Sequence, residues 1–266
     1  MVLTTQDGLV AAMAGSQMVL WNKASRTTVA AAWFTTLDLA GNPGAGTLAG
    51  SSTASGVVPT DATAGFPPVN AFSGANTGYL SSVDFGNTVA SRMRLADVLF
   101  KAGAYAFNAA VSLATQPSFS SRVPGGTDFK GTELWIEGVT AFTGNLSVAV
   151  TYTNQDGTAG RTTGTVATGT APTAGRMIQL PLQAGDTGIQ RVDSVTATVA
   201  TVGTFNVLVL RPLWMGRVRA VNDGSTHGPD MTDLSQLFAD SALLLMVNAD
   251  STASGVLDMN VGVING

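Results

Sequence analysis

The clearest alternation of apolar and polar positions lies in residues 134–153, which lead directly into the turn residues 154–157. In its second half, apolar side chains share one face of a two-residue repeat and small or hydroxylated ones share the other: Leu146, Val148, Val150 and Tyr152 against Ser147, Ala149, Thr151 and Thr153. This pattern predicts a strand with one face in the core. Residues 134–139 predict its hairpin partner, because Gly144 and Asn145 tolerate the positive φ of a reversal.

Further runs rich in β-branched and aromatic residues predict strands elsewhere. They cover residues 18–21, 26–39, 79–85, 92–101, 161–167, 177–182, 191–202, 204–214, 217–221, 242–248 and 256–264. The alanine-rich stretch 105–114 fits a strand or a helix equally well. In the second half of the chain, turn signals recur about every 8 to 12 residues, as in sandwiches and barrels. We therefore predict an all-β, mainly antiparallel fold, a jelly-roll-like sandwich or barrel made of two β-units.

Two short helices are expected within this β pattern. Thr4, Thr5 and Asp7 precede residues 9–14 (LVAAMA), and Gly15 follows them, which are the start and stop signals of a helix. Its apolar face would hold Leu9, Val10 and Met13. A second helix is predicted over residues 230–239, with Asp230 or Thr232 as cap and with one apolar face formed by Leu234, Leu237 and Phe238.

The domain organisation follows from two stretches rich in turn residues. Residues 40–76 are dominated by Gly, Ser, Thr, Ala and Pro, which predicts a long loop with one short strand at 56–58. This loop would serve function or an interface, or lie as an arm across a neighbouring subunit. The connector 118–130 contains Pro124, Gly125 and Gly126 and marks the predicted boundary. It divides an N-terminal β-rich region, residues 1–130, from a C-terminal antiparallel β-sandwich, residues 131–266.

One repeated hexapeptide bears on this division. The sequence STASGV occurs at residues 52–57 and again at 251–256. A duplicated β-unit would leave such a trace, and so would chance in a chain rich in these residues.

Composition narrows the function classes. Charged residues make up 11% of the chain, against roughly 25% in ordinary domains, and the net charge is −4 without any basic run. Nucleic-acid binding is therefore not expected.

The longest apolar runs, residues 207–210 and 242–247, are far shorter than the ~18 to 20 residues of a membrane span and predict buried strands. The N-terminus lacks a basic segment before its apolar stretch, so no signal peptide is expected.

The surface must consist largely of Thr, Ser, Asn, Gly and Ala, with little charge repulsion between copies. This favours a protein that works in an assembly, and a monomeric β-domain with a Thr/Ser surface is the alternative. The chain has no cysteine, which excludes disulfides, thiol catalysis and thiolate metal sites.

The catalytic candidates lack the spacing that their chemistry needs. His227, the only histidine, could pair with Ser225 and use Asp223 or Asp230 as the orienting acid of a hydrolase. Residues two apart in a glycine-flanked loop do not normally place a hydroxyl on an imidazole nitrogen, so His227 is expected to be a solvent-exposed loop residue. A single histidine without cysteine also makes a zinc site improbable.

Other candidate sites have structural interpretations as well. Glu133 and Glu137 flank Trp135 and would lie some 13 Å apart on one strand face, too far for a glycosidase pair, and are expected to contact solvent. The four tryptophans, Trp21, Trp33, Trp135 and Trp214, could form a sugar-stacking platform but are expected in the core. Residues 44–49 (GAGTLA) match a dinucleotide fingerprint without the strand and helix that it requires. The oxygen-rich stretches 154–157 and 222–224 are interpreted as turns rather than calcium sites.

The N-terminal segment adds a resemblance. Residues 7–17 (DGLVAAMAGSQ) and 21–23 (WNK) resemble the opening of a group of structural proteins of tailed bacteriophages, and Trp33-Phe34 with residues 38–43 (DLAGNP) continue the resemblance. It covers about the first fifth of the chain. It implies a virion protein, most like a capsid decoration (cement) protein that binds the major capsid protein lattice. Such a protein would be a homotrimer, made in the host cytoplasm and located on the capsid surface.

Taken with the residues, this predicts a non-enzymatic structural protein. No catalytic, cofactor-binding or metal-binding residue is assigned, no cofactor is expected, and a small-molecule ligand, nucleic acid or membrane is not an expected partner. The alternative from another class is a phage tail, fibre or lectin-like module that binds glycans through exposed aromatic residues. A β-sandwich hydrolase would need an acid or histidine cluster that the sequence does not supply.

Overall fold

The computed structural model of the protein describes residues 5–49, 52–72, 77–113, 115–142, 147–167, 173–198 and 202–266. Its strands, in chain order, are β1 (Gln17–Lys23), β2 (Trp33–Thr35), β3 (Gly41–Asn42), β4 (Gly78–Asn87), β5 (Ser91–Ala106), β6 (Ala110–Ser112), β7 (Glu133–Gly138), β8 (Ser147–Asn154), β9 (Arg161–Thr162), β10 (Val166–Ala167), β11 (Arg176–Leu180), β12 (Ile189–Thr198), β13 (Thr204–Val218), β14 (Asp223–His227), β15 (Gln236–Leu237), β16 (Leu243–Ala249) and β17 (Leu257–Asn265). The helices are α1 (Gln6–Ala14) and α2 (Pro229–Thr232). The predicted all-β class is confirmed.

The strands form a closed barrel and two sheets, all through antiparallel pairing. The barrel runs in the order β11–β2–β16–β5–β13–β7. Sheet I has the order β14–β4–β17–β1–β3, with β15 paired beside β4. Sheet II has the order β10–β8–β12–β6, with β9 paired to β8.

The barrel is the central layer, and each sheet packs on its outer surface. All six barrel strands contribute to one interior cluster that includes Trp33, Ala96, Val98, Trp135, Met177, Leu208, Leu210, Leu244 and Met246. Alternate positions of the same strands face outward: Met93, Leu95, Leu243, Leu245 and Val247 pack with sheet I, and Leu134, Ile136, Val207 and Val209 pack with sheet II. Because both strand faces are covered, every residue of β16 is buried. The prediction that residues 207–210 and 242–247 are buried strands is confirmed.

The predicted hairpin of residues 134–153 is wrong in its pairing. β7 pairs with β11 and β13 in the barrel, whereas β8 pairs with β9, β10 and β12 in sheet II. Leu134 and Ile136 instead belong to the same core cluster as Val148 and Val150, which lies between the barrel and sheet II. The expected inward side of β8 is confirmed for Val148, Val150 and Tyr152, while Leu146 and the turn residues Gly144 and Asn145 lie outside the described residues.

Sheet I and the barrel both combine strands from the two sides of residue 130. β1 and β4 pair with β17, and β5 pairs with β13 and β16. The predicted boundary between residues 130 and 131 therefore does not coincide with a division between sheets.

The described part of the long loop 40–76 packs on its own barrel. Leu48 and Phe66 are buried in the barrel interior cluster, and Val57 exchanges two backbone hydrogen bonds with Lys101 of β5, at 2.8 and 2.9 Å. The Tyr105 hydroxyl donates to the Thr53 carbonyl at 2.9 Å. The loop thus fills one end of the barrel rather than extending from it, and the short predicted strand at 56–58 is reduced to a single bridge at Val57.

The two helices are present where they were predicted, but the second is shorter. α1 begins after Thr5, whose hydroxyl accepts the Gly8 N–H at 3.1 Å, and ends at Gly15. α2 ends at Thr232, because Asp233 and Leu234 adopt positive φ of 51° and 45°. Residues 236–237 then leave the helical path and pair with β4.

Candidate interaction surfaces

The N-terminal helix exposes its apolar side chains. None of the residues of α1 is buried, and Val10 is 67% exposed. α1 leads directly into β1, where alternate residues point to opposite faces, so that Val19 and Trp21 enter the core and Met18 and Leu20 face outward. We call the exposed residues Val10, Met13, Met18 and Leu20 the N-terminal apolar surface.

This surface differs from the ordinary packing of a surface helix. A helix of a globular domain normally buries an apolar stripe against its own core, whereas in the predicted face of α1 Leu9 is only partly buried and Val10 and Met13 are exposed. α1 leads into β1 and also approaches β17, the strand paired with β1. Clustered exposed apolar residues are typical of protein interaction sites.

A second surface is a basic groove of about 520 Å³ beside His227. Its lining comes from β5, β13, the segment just after β13, β14 and α2, and it includes Arg92, Met215, Arg217, Arg219, His227 and Met231. Asp250 lies 3.6 Å from Arg92 and 3.8 Å from Arg217. Asp250 therefore pairs with two of the groove's three guanidinium groups, and Arg219 has no ion pair among the described residues.

His227 is held by aromatic contacts, which corrects the expectation of a solvent-exposed loop histidine. It is the last residue of β14 and is half-buried. The Trp214 indole N–H donates to its Nδ1 at 2.9 Å, and the Phe85 ring centroid lies 5.0 Å from the imidazole in an edge-on contact. An Nδ1 that accepts leaves the proton of the neutral ring on Nε2.

The hydrolase candidates are not brought together. Among the residues that the structure describes, no serine hydroxyl hydrogen-bonds to His227. Asp223 accepts the N–H of Gly224 at 2.9 Å instead. In the same described part of the chain, no group of three or more His, Asp or Glu residues could hold a metal ion.

Glu137 is buried, so the expectation that it contacts solvent is wrong. It shares the strand face of Trp135 as predicted, but that face lines the barrel interior. Its carboxylate lies 3.1 Å from the Lys101 ammonium and accepts a 2.8 Å hydrogen bond from Asn206. Glu133 is partly exposed and pairs with Arg94 at 2.6 Å.

The other sequence candidates have structural roles. Trp21, Trp135 and Trp214 are buried and Trp33 packs partly buried against the barrel interior, so the core interpretation of the tryptophans is confirmed. Leu48 of the glycine-rich stretch 44–49 is also buried. Asn154 begins a turn by accepting the N–H groups of Asp156 and Thr158 at 3.1 and 2.9 Å.

Asp186 is a hydrogen-bonding centre that the sequence analysis did not identify. It accepts from Tyr152 at 2.7 Å, Asn154 at 2.8 Å and Arg161 at 2.8 Å. The bond from Arg161 is the largest cause that lowers the pKa of Asp186 to about 2. Desolvation, with the bond to Asp186, raises the pKa of Tyr152 to about 12. This cluster joins the loop after β11 to sheet II.

No helix among the described residues is both long and apolar enough to cross a membrane.

Comparison with known proteins gives only weak similarities. No family model matches the sequence, and no curated protein matches it. A structure of the Gx strain of infectious bursal disease virus aligns over 94% of this chain and 80% of that chain, with 10% identity and a TM-score of 0.17. T=1 particles derived from the same virus align over 94% and 76%, with 10% identity and a TM-score of 0.18. TM-scores this low carry no argument about fold or function.

Proposed function

We propose that this protein is a non-enzymatic structural component of a virion, which decorates and stabilises the capsid by binding the lattice of the major capsid protein. The N-terminal apolar surface carries the proposal. Val10 and Met13 lie within residues 7–17, whose sequence resembles structural proteins of tailed bacteriophages, and Met18 and Leu20 lie between these residues and the second resembling stretch, residues 21–23. The resemblance and the exposed apolar residues thus occur in the same N-terminal part of the chain.

An isolated helix of nine residues is marginal in water, and this one buries no side chain against its own fold. Docking on a second protein would cover Val10, Met13, Met18 and Leu20. Each such side chain contributes up to about 1.5 to 3 kcal/mol when it is removed from water, before the costs of association are subtracted.

The sparse charge supports the same role. With 11% charged residues, a contact with a neighbouring protein removes few ions from water and therefore carries a small desolvation penalty. We propose a homotrimer on the outer capsid surface, synthesised in the host cytoplasm, without nucleic acid, membrane or small-molecule ligand as partner. The trimer rests on the resemblance of the N-terminal segment alone.

The test compares capsids assembled with and without the protein. Capsids of its own virus that lack it should gain resistance to heat and to low salt when purified protein is added, and light scattering should give a trimer mass for the free protein. Capsids that lose their DNA at the same temperature with and without the protein would overturn the proposal. Binding to a glycan panel that is lost on tryptophan substitution would favour the tail, fibre or lectin-like alternative.

A further inference from the structure

The basic groove lies between two strands that each have an open edge. Among the described residues, β14 pairs only with β4, at the end of sheet I. Beyond Leu210, β13 pairs with β5 on one side and has no partner on the other. Residues of both strands line the groove, so backbone hydrogen-bonding groups border it as well as side chains.

The groove also holds a local excess of positive charge in an acidic protein. Outside the groove, six arginines each pair with a carboxylate: Arg26, Arg94, Arg122, Arg161, Arg191 and Arg211. Arg176 has no ion pair among the described residues, but it is partly buried over the Phe34 ring. In the groove, Arg92 and Arg217 both form an ion pair with Asp250. Arg219 has no ion pair with any of the described residues. The guanidinium groups of Arg92 and Arg217 are about half-exposed and accessible to a ligand.

Two further features define the ligand. His227 carries its donor on Nε2, because Trp214 occupies Nδ1. Met215 and Met231 are 62% and 56% exposed and present flexible apolar surface on the groove wall. A ligand that matches all of these groups bears carboxylates, has apolar residues between them, and offers an extended backbone.

We propose that this groove binds an acidic, extended peptide segment of a partner protein, which adds as a strand to the open edge of β14 and places its carboxylates on Arg92, Arg217 and Arg219. Guanidinium groups bind carboxylates in a planar, two-pronged geometry, and strand addition supplies backbone hydrogen bonds. The inference does not depend on the capsid role of the N-terminal apolar surface, because the groove shares none of that surface's residues.

The experiment uses the full chain and a fluorescent peptide of alternating Asp and Val, about seven residues long, the length of a typical strand. The matched control peptide has Asn in place of Asp. We expect the Asp peptide to bind at least about tenfold more tightly than the Asn peptide, and to weaken as salt rises from about 50 to about 200 mM.

The variant Arg217→Gln/Arg219→Gln should lose about tenfold or more of this binding. Its control, Lys130→Gln/Arg191→Gln, removes the same charge from exposed sites outside the groove and should bind like the wild type. Circular dichroism checks that both variants are folded. An Asp peptide with N-methyl groups on all of its internal backbone nitrogens should bind about tenfold less tightly, since neither of its edges can then donate backbone hydrogen bonds to β14.

Equal affinity for the Asp and Asn peptides, or no loss in the groove variant, would overturn the proposal. Equal binding of the N-methylated peptide would overturn strand addition. Heparin, duplex DNA or inorganic phosphate that binds more tightly than the Asp peptide, with the same loss in the groove variant, would overturn the assignment to a peptide.

Discussion

The Lys101 ammonium lies 3.1 Å from the Glu137 carboxylate at the end of the barrel, where Glu137 is fully buried. β5 supplies the lysine and β7 the glutamate, and the Asn206 side chain bonds both to Glu137 and to the carbonyl of Leu48 in the long loop. This buried charge pair therefore links two barrel strands to the loop that fills the barrel end.

Substituting Lys101→Met should destabilise the protein strongly, because Glu137 is left as an unpaired buried charge. We expect the free energy of unfolding to fall by about 3 to 5 kcal/mol, measured by urea denaturation. The double substitution Lys101→Met/Glu137→Gln should recover much of this loss. Arg191→Met, which breaks the exposed pair with Asp193, is the control and should cost about 0 to 1 kcal/mol. A Lys101→Met protein as stable as that control would contradict the role of the buried pair.

Protonation of Asp186 should lower the stability of the folded protein at acidic pH. Its pKa is lowered from 3.8 to about 2 in the folded protein, so its stabilising contribution is complete above pH 3.8 and is lost as the pH falls toward about 2. Asp186→Asn should melt at a lower temperature than the wild type at pH 5, and the difference should shrink at pH values approaching 2. Asp156→Asn is the control, since its carboxylate accepts from the exposed Gln155 side chain. A constant difference between pH 5 and 2 would be inconsistent with the titration of Asp186.

The N-terminal cap of α1 should stabilise that helix without affecting the stability of the rest of the fold. Thr5→Ala removes the acceptor of the Gly8 N–H and should weaken the helix by about 1 kcal/mol, whereas Thr5→Ser should not. Because α1 buries no residue, we expect unchanged melting of the fold and faster hydrogen exchange of the α1 amides. A large drop in melting temperature would show that α1 is part of the cooperative core.

Gly56 in the long loop and Gly125 in the connector 118–130 separate the cost of backbone strain from the cost of packing. Gly56 and Gly125 have similar φ of 64° and 62°, but an added methyl at Gly56 meets the Phe100 ring, while at Gly125 nothing lies within 4 Å. Gly125→Ala should cost about 1 to 2 kcal/mol from the backbone alone, and Gly56→Ala about 1 to 3 kcal/mol more. Equal losses in urea denaturation would mean that the loop is not tightly packed on the barrel.

The local sequence patterns predicted the positions of the strands better than they predicted which strands pair with each other. Alternation in residues 147–154 and the apolar run of β16 identify strands and inward faces correctly, since these depend on neighbouring residues only. Pairing depends on distant residues, which is why β7 and β8 were predicted as a hairpin although they lie in different layers. The same cause explains Glu137, whose strand face was predicted correctly while its burial in a closed barrel was not.

The candidate surfaces were predicted in part. The helix signals around Thr5 and Gly15 located α1, but no local pattern indicates that its apolar face is left uncovered. The basic groove combines residues from 92 to 231, so its charge cluster exists only after folding. His227 was identified as a candidate by type, and its contact with Trp214 requires β13 and β14 to meet in space.

Co-sedimentation with capsids measures whether the N-terminal apolar surface binds the capsid. The variant Val10→Gln/Met13→Gln alters exposed side chains, so it should melt like the wild type, and we expect its affinity for capsids to fall at least about tenfold. Val202→Gln changes a side chain that is 74% exposed outside this surface, and it should sediment with capsids like the wild type. Retention of full capsid binding by folded Val10→Gln/Met13→Gln protein would contradict the account.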